Sequence, residues 1–179
     1  MTASPVKFIA DSMLGRLARW LRLLNYDTLY YPGIEDSLLL RIAREEDRIL
    51  LTRDTRLVKV RGLKEFLLLH ENDTFEQLKK VLTTFNLHPL EGQGVSGRGG
   101  YEPFLHSRCS LCNTPLDNIP KEQAKDHVPE YVYQTSKTFK YCPKCEKFYW
   151  EGTHPGKLKE KLMEVLQGKD GNQPQICAD

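Results

Sequence analysis

The sequence lacks any long hydrophobic run: no apolar stretch approaches the roughly 20 residues that a membrane-spanning helix requires. It also lacks a signal-peptide pattern, because the short apolar patch near the N-terminus soon meets Asp11 and several arginines. The charge excess is small, a net +2 at pH 7, so any nucleic-acid site has to be a local basic patch. These absences predict a cytoplasmic protein without a membrane partner, and they leave its oligomeric state open.

The composition is that of a globular protein, with 40% hydrophobic and 28% charged residues. A length of 179 residues is enough for one ordinary domain and one small domain. The segment "LHPLEGQGVSGRGGYEP" is rich in glycine and proline and separates two differently patterned parts of the chain. We therefore predict a domain at 1–90, a linker at 91–107, a second unit at 108–168 and a tail at 169–179.

In the first ninety residues, short apolar segments alternate with helical patterns. The predicted strands are Lys7–Ala10, Asp27–Tyr31, Arg48–Thr52 and Glu65–His70, and the predicted helices are Leu14–Leu24, Asp36–Glu46 and Thr74–Phe85. This alternation predicts an α/β fold with a parallel sheet covered by helices. In such sheets, functional sites form beyond the carboxyl ends of the strands.

The linker contains a G-x-G-x-x-G pattern at Gly92, Gly94 and Gly97. A dinucleotide-binding loop of this type needs a strand before it and a helix after it. Neither is apparent in the sequence, so we attribute these glycines to conformational freedom in the linker.

Acidic residues follow several of the predicted strands. Asp11 follows the first strand and Asp54 the third, whereas Asp73, with Glu71 beside it, follows the fourth, and Asp36 opens the second helix. Because parallel strands end at one edge of the sheet, these carboxylates are expected to share a small volume, where they repel each other unless a cation is bound. Hard oxygen ligands suit Mg²⁺ or Mn²⁺, and such ions activate water for phosphodiester hydrolysis.

Each acid also has a purely structural interpretation. Asp36 and Asp73 are suitable helix N-caps, and Asp11 can cap the first helix. For Asp11 and Asp54 together we favour a functional role, because two separate strands end in an aspartate.

Arginines give the first helix a basic side close to Asp11. Arg16, Arg19 and Arg22 lie on its broad polar side, and Arg53 lies next to Asp54. These four residues are candidates for contacts with a nucleic-acid phosphate backbone. A solvated helix face, or an ion pair in the case of Arg53, is the alternative.

Four of the five cysteines form two C-x2-C pairs, Cys109 with Cys112 and Cys142 with Cys145. This pattern predicts one structural zinc ion bound by four thiolates in a zinc ribbon. The segment between the pairs is long, and we expect an extended hairpin to accommodate it. A helix is expected at 157–166, and Cys177 is expected to have no role.

Basic and aromatic residues alternate around the second cysteine pair. The set is Lys140, Tyr141, Lys144, Lys147, Phe148, Tyr149 and Trp150. Such a set can stack on exposed bases, or it can form the small core of the ribbon, which we favour. For His154 we favour packing over a contact with substrate.

Three segments together resemble a known family. "FIADSMLGRLARWLRLLNYDT", then "EDSLLLRIAREEDRILLTRD", then the two cysteine pairs ending in "YWEGTHP" are similar to the Mut-seven C-terminal RNase family, over roughly residues 6 to 166. The resemblance implies a PIN-like α/β/α sandwich with a metal-dependent nuclease centre, followed by a zinc ribbon. It also implies that the nuclease acids correspond to Asp11, Asp36 and Asp54, with a fourth acid in the neighbourhood of Glu71 and Asp73.

Three functions therefore compete. The first is a Mg²⁺- or Mn²⁺-dependent endoribonuclease that leaves 5′-phosphate and 3′-hydroxyl ends on its RNA products. The second is a phosphoacceptor domain of the receiver type, which we reject because the required lysine would fall in the glycine-rich linker. The third is a non-catalytic RNA- or ribosome-binding module with a degenerate nuclease centre.

Overall fold

A computed structural model describes residues 6–87 and 108–150 of the chain. Several predictions lie outside these residues: the linker at 91–107 with its glycine motif, the helix at 157–166, the tail at 169–179, His154 and Cys177. Among the described residues, no helix is both long and apolar enough to span a membrane.

The N-terminal part is built on a four-stranded, fully parallel sheet. The strands are β1 (Lys7–Ala10), β2 (Asp27–Tyr30), β3 (Ile49–Thr52) and β4 (Phe66–Leu68), in the spatial order β2-β1-β3-β4. The register aligns Ala10 with Tyr30 on one side and with Leu51 on the other. All four strands therefore end at the same edge, as the sequence predicted.

Helices cover both faces of the sheet in three layers. Helices α1 (Gly15–Leu23) and α3 (Thr74–Thr84) lie on one face, and α2 (Asp36–Glu45) lies on the other. Alternate residues of the central strands point to opposite sides, so Phe8 packs in the α1/α3 core and Ile9 packs in the α2 core. Both side chains are fully buried. This three-layer α/β architecture confirms the predicted fold class.

The start of the first helix differs from its prediction. Residues Ser12–Leu14 form a 3-10 turn, and α1 begins only at Gly15. The amide of Leu14 donates to the carbonyl oxygen of Asp11 at 2.9 Å, an i to i+3 bond of the tighter helix. This turn keeps Asp11 directly at the end of β1.

The described C-terminal part is a three-stranded antiparallel sheet with two short helices. The strands β5 (Asp117–Ile119), β6 (Phe139–Cys142) and β7 (Lys147–Trp150) pair in that order. The longer hairpin expected between the cysteine pairs is present, since β5 and β6 pair antiparallel, and its connection contains α4 (Lys121–Ala124) and α5 (Glu130–Thr135). Pro120 and Pro129 precede these helices, since proline suits a helix start but cannot donate in a strand ladder.

Candidate active site and metal centre

The carboxylate of Asp11 lies at the carboxyl edge of the sheet and is almost fully buried, at 6% exposed. The hydroxyl of Thr52, at the end of the neighbouring strand, donates to Oδ2 of Asp11 at 2.7 Å. The hydroxyl of Ser12 donates to Oδ1 at 3.1 Å. Among the described residues these hydroxyls, rather than helix amides, are the partners of the carboxylate, so Asp11 does not act as a side-chain cap.

Thr52 connects Asp11 to Asp54. While its hydroxyl donates to Asp11, its oxygen accepts the amide N–H of Asp54 at 3.0 Å. Thr52 is completely buried, so this link between β1 and the loop after β3 is shielded from water. Sequence reasoning missed this residue, because a threonine that ends a strand has no distinctive local signal.

Asp54 forms an ion pair that the sequence did not reveal. The guanidinium of Arg56 contacts both of its carboxylate oxygens, with Nη2 at 2.7 Å from Oδ2 and Nε at 3.1 Å from Oδ1. The amide of Arg56 also donates to Oδ1 at 2.7 Å. These hydrogen bonds, with the side chain of Arg56 contributing most, lower the pKa of Asp54 to about 2.

Asp36 lies on the same side of the site as this ion pair. It is exposed and is the first residue of α2, with Glu35 at the N-cap position. Hydrogen bonds with Asp54 chiefly raise the pKa of Arg56, and the charge of Asp36 acts in the same direction. Arg56 therefore lies within electrostatic range of both Asp54 and Asp36.

The two candidates for the fourth acid have different environments. Asp73 is the N-cap of α3, where its carboxylate accepts the amide of Phe75 at 2.8 Å and that of Glu76 at 3.2 Å. This is the capping role that the sequence offered as the alternative. Glu71 has a buried carboxylate oxygen, Oε2, for which the described part of the chain supplies no hydrogen-bond partner.

Two of the predicted arginines line a groove beside Asp11. The groove has a volume of about 520 Å³, and its walls come from the start of α1, Tyr30 and the start of α3. Arg16 and Arg19 belong to this lining and are exposed. Gly15 lets Tyr30 close one wall, since an added Cβ would lie 2.7 Å from the tyrosine ring.

The other two arginines have structural partners. Arg22 is buried, at 3% exposed, and its guanidinium donates to carbonyl oxygens of Thr28, Ser110 and Leu111 at 2.8 to 3.1 Å. It therefore does not share the exposed side of α1 with Arg16 and Arg19, contrary to expectation. Arg53 donates to the side-chain oxygen of Asn72 at 2.5 Å, next to the groove.

The structure brings all four paired cysteines together. The sulfur atoms of Cys109, Cys112, Cys142 and Cys145 lie within 4.8 Å of one another. The separations are 3.8 Å between Cys109 and Cys145 and 3.5 Å between Cys112 and Cys142. Sulfurs around a tetrahedral zinc ion, each about 2.3 Å from the metal, lie about 3.8 Å apart. The cluster could thus hold a zinc ion.

The electrostatics of the cluster also favour a cation. Hydrogen bonds to the sulfurs of Cys112 and then Cys109, together with burial, raise the pKa of Cys145 to about 12. Burial opposes the ionisation of Cys112, but hydrogen bonds with Thr114 outweigh it and lower its pKa to about 6. Four thiolates do not coexist at this spacing without a positive charge between them.

The first cysteine knuckle is attached to the edge strand of the parallel sheet. Asn113 accepts the amide of Thr28 at 3.1 Å and donates to the carboxylate of Asp27 at 2.8 Å. Arg48 donates to the same carboxylate at 2.7 Å. Burial acts to raise the pKa of Asp27, but the hydrogen bonds from Arg48 and Asn113 lower it. The cysteine cluster therefore sits at the amino end of β2, opposite the edge that carries Asp11.

A family model, the Mut7-C RNAse domain, matches residues 6–162, which is most of the chain. The chain belongs to this family. Membership in the Mut7-C family makes RNA the implied substrate of the chain and a ribonuclease-like function its implied activity. Comparisons with curated proteins and with solved structures return no match.

Proposed function

We propose that this Mut7-C protein is a metal-dependent ribonuclease of the PIN type, which cuts within RNA strands and leaves 5′-phosphate and 3′-hydroxyl ends. The observation that carries the proposal is the pair of aspartates at adjoining strand ends, with Thr52 bonded to both Asp11 and Asp54. Structural caps would not need such a connection.

The acids supply the oxygen ligands that a divalent cation takes. Among the described residues, however, only the four cysteines lie close enough together to form a group of three or more metal ligands, so a cation would have to draw the acids together. An ionised carboxylate has about four lone-pair sites, and the two hydroxyls on Asp11 leave some of them free. Asp36 is exposed and interacts electrostatically with Arg56, the residue that pairs with Asp54. For the fourth acid we favour Glu71 over Asp73, because the cap occupies Asp73 whereas Glu71 has an oxygen without a partner among the described residues. Oxygen ligands of this kind suit Mg²⁺ or Mn²⁺.

When bound there, such a cation would activate water and stabilise the leaving oxygen of the phosphodiester. The protein's own residues position the strand. Arg16 and Arg19 supply positive charge in the groove beside Asp11, where it offsets the repulsion between the carboxylates and the RNA backbone. Arg53, held by Asn72 at the same edge, is a further candidate for a phosphate contact.

A zinc ion in the cysteine cluster would have a structural role, because four protein sulfurs leave no coordination position for substrate. The ribbon has a small core, and a bound metal commonly stabilises such units.

A second function, a non-catalytic RNA-binding module, is favoured by one observation. Arg56 occupies both carboxylate oxygens of Asp54, which a catalytic cation would also need. In the first function a cation at Asp54 would share the carboxylate with Arg56 or displace it, whereas the second function leaves the ion pair in place.

Cleavage of labelled single-stranded RNA, with and without Mn²⁺, separates the two functions. We expect Mn²⁺-dependent cutting by the wild type and at least a hundredfold loss in Asp11→Asn. Asp47→Asn is the matched control: Asp47 is exposed and has a positive φ that asparagine tolerates, so its activity should be unchanged. Equal cutting by Asp11→Asn and the wild type would exclude the proposed centre, and RNA binding without cutting would establish the second function.

A further inference from the structure

The two faces of the zinc-ribbon sheet have different surroundings. On one face, the hydroxyl of Tyr149 lies 3.0 Å from the sulfur of Cys109, so this face is turned to the metal centre. On the other face, Tyr141 pairs directly with Phe148 across β6 and β7, with ring centroids 5.1 Å apart. The second face therefore carries aromatic rings that do not serve the cysteines.

A groove of about 390 Å³ opens on this second face. Its lining consists of Ile119, Gln123, His127, Tyr141, Glu146 and Phe148. The volume is in the range of about 300–1,000 Å³ that small-molecule sites occupy. The groove combines flat rings with one carboxylate and one amide, which is a combination that purely structural packing does not require.

A flat ring is already stacked in the groove. The imidazole of His127 lies parallel to the ring of Phe148, with centroids 4.7 Å apart and an interplanar angle of 9°. His127 is exposed, and a third ring placed on the outer side of its imidazole would extend the stack. Nucleobases of single-stranded RNA stack on aromatic side chains in this manner.

We propose that this groove binds a guanine base of single-stranded RNA, stacked on His127 and hydrogen-bonded to Glu146. The inference rests on the proposed function in one respect, namely that RNA is the ligand. An ionised carboxylate only accepts hydrogen bonds, and guanine presents two adjacent donors, N1–H and the N2 amino group. On adenine, cytosine and uracil, the corresponding donor lies beside an acceptor. The amide of Gln123 supplies a donor for the O6 oxygen of guanine.

The attachment of the ribbon separates this groove from the candidate active site. The ribbon is attached at Asp27 and Thr28, at the amino end of β2, whereas Asp11 lies at the carboxyl edge of the sheet. The attachment and that edge lie at opposite ends of β2, a strand of four residues. The guanine groove is therefore a site separate from the edge at which the bond is cut.

Base contacts and phosphate contacts leave different signatures in binding experiments. The probes are labelled uridine-rich strands that carry a single guanine, inosine or adenine at the centre, titrated into the zinc-loaded Asp54→Asn chain. We expect the guanine strand to bind about tenfold more tightly than the adenine strand. Inosine lacks the N2 amino group and should fall between them.

The variants isolate the two parts of the site. Glu146→Gln should reduce the preference for guanine to about twofold or less, while the affinity for the adenine strand is kept. His127→Ala should weaken all three strands by a similar factor, at least about fivefold, without changing the salt dependence of binding. Glu122→Gln, an exposed acid of α4 outside the groove lining, is the matched control and should keep the preference.

Each outcome decides the matter. Equal affinity for the guanine and adenine strands, or a preference that survives Glu146→Gln, overturns the inference. A different outcome is that the chain binds an arginine-rich peptide and not RNA, with Glu146→Gln abolishing that binding. This result assigns the groove to a basic protein segment and likewise overturns the inference. If the wild-type chain cuts these strands and neither binds nor cuts the guanine strand preferentially, only the guanine site is excluded and the proposed nuclease function stands. If the preference for guanine depends on Glu146 but the wild-type chain cuts no RNA, only the proposed nuclease function is excluded.

Discussion

At the scale of single residues, the buried hydroxyl of Thr52 holds the two central aspartates in place. Thr52→Val should leave the carboxylate of Asp11 and the amide of Asp54 without this partner, and we expect the free energy of unfolding to fall by about 1–3 kcal/mol. Urea unfolding measures the change. Thr52→Ser keeps the hydroxyl and should recover most of the hydrogen-bond contribution. If valine and serine destabilise the protein equally, the link contributes nothing.

A second residue-scale prediction concerns the ion pair between Asp54 and Arg56. In Arg56→Ala, the carboxyl pKa of Asp54 should rise from about 2 toward the ordinary value of about 3.9. Because the folded-state pKa is depressed, the pair stabilises the protein above about pH 4, and this contribution is lost as the pH falls toward 2. A carboxyl titration followed by NMR reports the shift directly.

Arg53→Ala is the matched control for that titration, since Arg53 bonds to Asn72 rather than to Asp54. It should leave the pKa of Asp54 near 2. A similar rise in both variants would mean that general positive charge, and not the two-point contact of Arg56, depresses the pKa.

At the scale of secondary-structure elements, α1 carries arginines on both its buried side and its exposed side, and the two sides have different roles. Its buried side holds the first cysteine knuckle through Arg22. Arg22→Met should leave the carbonyl oxygens of Thr28, Ser110 and Leu111 without these donors and lower the free energy of unfolding by about 3 kcal/mol. Arg19→Met on the exposed side should change it by less than about 0.5 kcal/mol. Equal effects in urea unfolding would contradict this division.

The exposed side of α1 should instead govern RNA binding. In the Asp54→Asn background, Arg19→Ala should weaken binding to all RNA sequences alike and make the slope of log affinity against log salt shallower by about one unit. Arg41→Ala, an exposed arginine of α2, should leave the slope unchanged. A salt titration in which Arg19→Ala behaves as the parent would assign Arg19 to solvent.

At the scale of the whole molecule, the cysteine cluster should bind about one zinc ion per chain, as measured by elemental analysis. Cys112→Ser should lose the metal and unfold mainly the ribbon. Because Asn113 and Arg22 connect the knuckle to β2 and α1, amide exchange at Thr28 should also become faster. Cys177→Ser should retain the zinc ion. Full zinc retention by Cys112→Ser would exclude the four-sulfur site.

The sequence by itself was sufficient for features encoded within short segments. Alternating apolar patterns predicted the four strands and three helices of the parallel sheet, and the element bounds were close to those observed. The two C-x2-C pairs predicted the sulfur cluster, since each knuckle already places two ligands side by side. Aspartates at strand ends could be proposed as a site because parallel strands end at one edge.

Only the tertiary structure decided which partner each polar side chain takes. Arg22 and Arg19 share a helix, yet one bonds to a knuckle whose residues lie far along the chain and the other faces solvent. The contact between Thr52 and Asp11 likewise depends on strand register. The physical reason is that burial and hydrogen bonding are set by neighbours in space, whereas periodicity and spacing report neighbours along the chain.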